Sequence, residues 1–149
     1  MHQTFNEHWL VSGLSMEAKD ALYALGEVVE CPIGKVLIEA DTANDYLFVL
    51  LEGAFKVYLP HAPGRKAGVT LGHRGPGDLL GEYSFVDNFV PTARVTASTQ
   101  GLVLRMPHQA LRQFLDNDLA SSATIYRHLL SYLVVRLRSQ DEEIDCLMF

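Results

Sequence analysis

The residues of this chain that could do chemistry are few and mostly ungrouped. Six histidines, His2, His8, His61, His73, His108 and His128, include no His-x-His pair and no glutamate at matching spacing, so the clustered ligands that a strand-borne metal enzyme needs are not written here. His73 has no identifiable partner for haem and reads as an exposed histidine near a strand end. Cys31 and Cys146 are too far apart for a metal motif and too few for a disulfide framework, which points to free thiols in a cytoplasmic protein. Cys146-Leu147-Met148-Phe149 has the form of a prenylation box, but its upstream sequence is acidic and so short a pattern arises often by chance. Two features remain. Glu82 follows Gly81 in the run Gly77-Asp78-Leu79-Leu80-Gly81-Glu82-Tyr83-Ser84-Phe85, where a carboxylate serves equally to bond turn amides or a ligand. Arg94 lies in Pro91-Thr92-Ala93-Arg94-Val95-Thr96-Ala97, and the alternation there puts Ala93, Val95 and Ala97 on one face and Arg94 on the other, towards solvent. No catalytic residue and no metal site is expected.

The elements that must carry these residues follow from pattern. At 149 residues and 48% hydrophobic content the chain has apolar material for one core, and no run approaches the ~18 apolar residues of a membrane span. The N-terminus shows no secretory signal. A formal charge of −6 without a Lys/Arg cluster argues against phosphate-backbone binding. Residues 14–25 read as a helix, with Ser15 as N-cap, Leu14, Ala18, Ala21, Leu22 and Leu25 on one stripe, and Gly26 as the stop. Short β-branched or aromatic runs at 28–31, 36–39, 46–51, 54–59, 68–73, 94–99 and 102–106, divided by Gly, Pro, Asn or Asp, predict strands of a sandwich, barrel or jelly roll. Arg65-Lys66 falls at a hairpin tip. Pro107 suits the first position of a short helix to Leu115, and a longer helix is predicted over 118–142.

The run from Gly77 to Phe85, with Pro91 to Ala97, resembles the phosphate-binding cassette of cyclic-nucleotide-binding domains, the family of catabolite activator proteins and of cAMP-dependent kinase regulatory subunits. Three further segments are similar to that family in order: Cys31-Pro32-Ile33-Gly34 through Asp41, with Ala40 at a position usually held by Gly; Tyr46 to Tyr58 with a turn at Gly53; and Gly75-Pro76-Gly77-Asp78. The likeness covers roughly residues 14–140. It implies a mainly β fold with flanking helices, a double-stranded β-helix (jelly roll) with an N-terminal helix and a long C-terminal helix. The whole chain, 1–149, is expected to be one such domain, with a β-roll over about 28–106 and C-terminal helices over 107–142.

The resemblance assigns the ligand site to Gly81, Glu82, Tyr83, Ser84, Thr92 and Ala93, with the carboxylate of Glu82 accepting from a ribose hydroxyl. The family's cassette arginine is missing, because Pro91 stands in its place. Truncating one partner of a buried charge pair costs ~2–5 kcal/mol, a loss of tens- to thousands-fold in affinity at ~1.4 kcal/mol per decade. No cofactor is therefore expected beyond a weakly bound cyclic nucleotide.

The family's transcription factors continue past this helix into a helix-turn-helix, and none is read here. Tyr126, Leu130, Leu133 and Leu137 keep the 4-3-4 spacing of a coiled-coil seam, while Ile125, Leu129 and Tyr132 form a second stripe. Two stripes imply two buried faces, one on the roll and one in a homodimer; Arg136, Arg138 and Asp141-Glu142-Glu143 read as a solvated helix end. Two readings stay open. The chain is a non-catalytic domain sensing a small molecule, or a ligand-free interaction and dimerisation module for an unidentified protein partner, in which Pro91 with Tyr83, Phe85 and Phe89 fills the former pocket.

Overall fold

The computed structural model describes residues 1–64 and 67–148; the tip residues Arg65 and Lys66 lie outside it. The chain opens with α1 (His2–Asn6), a 3-10 turn (Trp9–Val11) and α2 (Met16–Ala24). Ser15 caps α2 as its sequence suggests, its hydroxyl accepting the Ala18 N–H at 3.1 Å. The buried stripe of α2 is narrower than expected: Ala18 and Leu22 are buried, but Ala21 is exposed.

Eight strands follow, β1 (Glu27–Cys31), β2 (Val36–Ile38), β3 (Tyr46–Glu52), β4 (Phe55–Leu59), β5 (Val69–Arg74), β6 (Leu79–Leu80), β7 (Arg94–Ala97) and β8 (Gly101–Pro107), with α3 (Glu82–Asp87) between β6 and β7. They form two antiparallel sheets, ordered β1-β8-β3-β6 and β2-β7-β4-β5, which face each other as a jelly roll. The tight connection between β3 and β4 places Gly53 at φ +91°, a conformation that L side chains rarely adopt. β6 was not anticipated, because two leucines between glycines carry no readable period.

β3 explains how the layers stack. Its continuous apolar run, Leu47 to Leu51, is buried on both faces, as a strand covered on two sides must be. Phe48 and Leu50 point into the roll with Phe55, Val57, Leu80, Val95 and Ala97. Leu47, Val49 and Leu51 point outward, against Phe5, Leu22, Phe85, Ile125 and Leu129 of the helices. The helices thus cover the back of one sheet.

The chain closes with α4 (His108–Asn117) and α5 (Leu119–Met148). Pro107 ends β8 rather than opening α4. Asp118 caps α5, one carboxylate oxygen accepting the Ser121 N–H at 3.1 Å and the other its hydroxyl at 2.6 Å. This helix runs past the expected end at 142 because nothing in Asp141 to Met148 breaks it. Cys31 is buried in the roll and Cys146 exposed, neither in a disulfide.

Candidate functional site

The site begins where β6 turns into α3. Gly81 adopts φ +80°, and a Cβ there would collide with the Tyr46 carbonyl oxygen and lie 2.7 Å from Asn44 Nδ2. Asn44 Nδ2 itself donates to that carbonyl at 2.8 Å. Only glycine satisfies both the conformation and the space. The turn directs Glu82 and Ser84 inward, both buried, and Tyr83 outward, 55% exposed.

Glu82 is the chemically charged part of this turn. With 8% of its surface exposed, burial raises its carboxyl pKa above the ordinary carboxylate range; its own backbone N–H and the guanidinium groups of Arg136 and Arg74 oppose that rise. Neither arginine was singled out in the sequence as a site residue. Arg74 ends β5, and Arg136 comes from the distant α5. The expectation of a solvated end fails for Arg136: its Nη2 donates to Asp78 Oδ1 at 3.0 Å with the side chain only 19% exposed, its guanidinium lies 4.8 Å from the Tyr132 ring, and its Nε is buried without a hydrogen-bond partner.

The turn before the site is tied down from three directions. Asp78 Oδ2 accepts the Gly75 N–H at 3.0 Å. The backbone N–H groups of Gly77 and Leu50 donate to Leu50 O and Asp78 O, at 3.1 and 3.0 Å. Tyr132 of α5 brackets Leu79, its hydroxyl accepting from the N–H at 3.2 Å and donating to the carbonyl at 3.3 Å. Burial raises the Tyr132 pKa, and the Glu82 carboxylate adds to it.

α4 holds the other side of α3. Arg112 Nη2 donates to Phe85 O at 2.9 Å and to Asn88 Oδ1 at 2.7 Å, satisfying carbonyl groups at the end of the helix. Phe85 packs between His108, 5.4 Å away by ring centroids, and Tyr126 at 6.4 Å. It therefore fills the space between α3, α4 and α5, not the interior of the roll. Phe89 is 74% exposed. Tyr83 and Phe89 thus both lie largely in solvent, whereas Phe85 is buried.

In the bend that leads into β7, Thr92 is exposed and Ala93 packs against the roll interior. The Pro91 carbonyl accepts the Asp41 N–H at 2.7 Å, tying the end of the segment to the turn after β2. Arg94 points away from the buried Val95 and Ala97, and its Nε donates to Glu39 Oε1 at 2.8 Å with both side chains partly in solvent. Among the described residues, no group of three His, Cys, Asp or Glu could hold a metal ion, and no helix is long and apolar enough to cross a membrane.

A two-sheet roll with a glycine-glutamate turn opening a short helix, backed by a long C-terminal helix, is the architecture of the cyclic-nucleotide-binding regulatory fold. The profile of the cyclic nucleotide-binding domain matches residues 28–118, more than half of the chain, and the chain belongs to that family. It is 27% identical over 140 residues to the CRP-like cAMP-activated global transcriptional regulator of Mycobacterium tuberculosis, covering 94% of this chain and 60% of that protein. It is 29% identical over 143 residues to the Cyclic AMP receptor protein of Thermus thermophilus, covering 94% and 62%. The chain thus spans less than two thirds of the length of these relatives. A cyclic nucleotide-binding domain from Methylobacillus flagellatus has the same fold, with a TM-score of 0.83 at 25% identity over 95% of this chain and 79% of that one.

Proposed function

We propose that the chain is a non-catalytic, cytoplasmic regulatory domain that senses a small molecule at Gly81, Glu82, Tyr83, Ser84, Thr92 and Ala93, and that its cassette is too degenerate to hold cyclic nucleotides tightly. The observation that carries this reading is the ion pair between Arg94 and Glu39. The one guanidinium on the strand after the cassette is engaged at 2.8 Å on the outer face, and Pro91 brings none. The charged groups beside Glu82 are Arg74, Arg136 and Asp78, and the last two are paired with each other at 3.0 Å. Arg74 is then the cation that suits an anionic ligand bearing a hydroxyl, with the charge read from β5 rather than from β7.

Isothermal calorimetry with cAMP and cGMP tests the reading. Wild-type protein should bind either one no tighter than about 100 µM, and Pro91→Arg should gain at least about tenfold, ~1.4 kcal/mol. A sub-micromolar dissociation constant for the wild type would show that the cassette is whole.

The same domain is proposed to work as a homodimer. Tyr126 is 42%, Leu130 63% and Leu137 58% exposed on α5, with Leu133 half-buried between them, whereas Ile125 and Leu129 are buried against the roll. An exposed heptad stripe on a helix already packed on its other face suits a second copy. This stripe equally supports the alternative, a ligand-free dimerisation module. Calorimetry separates the two.

A further inference from the structure

We propose that His8 is a positioning residue for the turn leading into Gly81, and that it is operated by a proton: protonating its ring uncaps the Trp9–Val11 turn and lifts Trp9 away from Gly77 and Tyr132. The side chain is 8% exposed, and both ring nitrogens are occupied. Nδ1 accepts the Leu10 N–H at 3.1 Å, capping the 3-10 turn. Nε2 lies 2.9 Å from the Gly77 carbonyl oxygen. A backbone N–H only donates and a carbonyl only accepts, so the ring is the neutral Nε2–H tautomer. A proton added to Nδ1 would set two donors 3.1 Å apart with no acceptor between them, and would leave a cation out of water. Both faults are relieved when the His8 ring leaves the turn and Trp9 follows it off the Gly77 carbonyl, with Leu10 and Val11 staying in the core.

What the segment holds gives the device its consequence. Gly77 O also accepts Trp9 Nε1–H at 2.7 Å, and the Trp9 ring stacks on Tyr132 at 4.9 Å between centroids. Gly77 and Asp78 lead directly into β6 and Gly81. The segment is therefore a strap across the back of the turn that aims Glu82, with α5 on its far side.

The charged neighbours decide the direction. Burial lowers the His8 pKa, opposed by the Gly77 carbonyl and the Asp78 carboxylate. Asp78 is itself paired with Arg136 of α5. Glu82 of α3 and Tyr132 of α5 face the same turn, and Glu7 precedes His8 on its own segment. His128 of α5 reaches the strap from the other side, its Nδ1 3.0 Å from Leu10 O. That nitrogen is the donor to a carbonyl, so this contact needs no lone pair on the ring. With its folded pKa lowered, the neutral His8 supports the strap above the ~6.5 of a free histidine, and that support is lost as pH falls through the folded value.

Trp9 is the single tryptophan of the chain, so its fluorescence reads the strap directly. Titrating the full chain from about pH 8 to about pH 5 should red-shift the emission in a one-proton step with its midpoint below ~6.5, while far-UV circular dichroism stays constant. His8→Asn keeps an oxygen to cap Leu10 but does not titrate, and should abolish the step; His128→Asn should keep it. The idea is overturned if the step persists in His8→Asn, if wild type shows none, or if it coincides with loss of dichroism. Nitrogen-resolved histidine spectra of the wild type give a check that needs no variant. They should show His8 as the Nε2–H tautomer at neutral pH, and the Nδ1–H tautomer would refute the latch.

Discussion

Replacing Gly81 by alanine should damage this protein far more than the loss of one hydrogen atom suggests, and the structure divides the effect into two parts. At φ +80° the new residue sits in the left-handed region, which costs a non-glycine residue about 1–2 kcal/mol. Its Cβ would also collide with the Tyr46 carbonyl oxygen and lie 2.7 Å from Asn44 Nδ2. Tyr46 belongs to β3, at the centre of a sheet, and its oxygen already accepts from Asn44, so relief requires backbone movement. Overpacking of that kind costs about 1–3 kcal/mol. The sum is roughly 2–5 kcal/mol for Gly81→Ala. Gly77→Ala supplies the control: its φ is +92°, but a Cβ there meets nothing within 4 Å, so only the conformational part, about 1–2 kcal/mol, should appear. Urea unfolding of both variants, followed by far-UV dichroism, measures the difference. If the two are equally destabilised, the close approach of β3 to the cassette turn is not what the side chain at position 81 meets.

Three further outcomes are expected. Leu133→Asp should convert a dimer into monomer in sedimentation at high micromolar concentration; a dimer that survives it uses another surface. Glu82→Gln should be more stable than wild type at neutral pH. A carboxyl whose folded pKa is raised binds its proton more tightly when folded, so its stability falls as pH rises from the ordinary ~4.5 through the folded value, and the gain should vanish below that window in pH-dependent urea titrations. Arbitrary duplex DNA at low salt should give no fluorescence anisotropy change with this chain, given its formal charge of −6; a salt-dependent low-micromolar affinity would mean that a basic face has been overlooked.

Local signals in the chain determined most of the fold. Ser15, Gly53 and the alternating run at 93–98 each specify their conformation through a neighbour one to four residues away, and all three stand as read. The two stripes of α5 were also legible, since a helical period reports which residues share a face. What a period does not report is which partner each face meets, and there tertiary structure decided. Phe85 and Phe89 are four residues apart and equally apolar, yet one is buried against Tyr126 and the other lies in solvent. Arg136 reads as the polar end of a helix until the roll brings Asp78, 58 residues earlier, to 3.0 Å. His8 and Trp9 carried no sequence signal, because the carbonyl they share belongs to Gly77, almost seventy residues along the chain. Spacing in sequence encodes contacts within one element; a carboxylate, a guanidinium and an imidazole from three elements become one site only when the core has placed their backbones, and that placement depends on the summed burial of residues far from any of them.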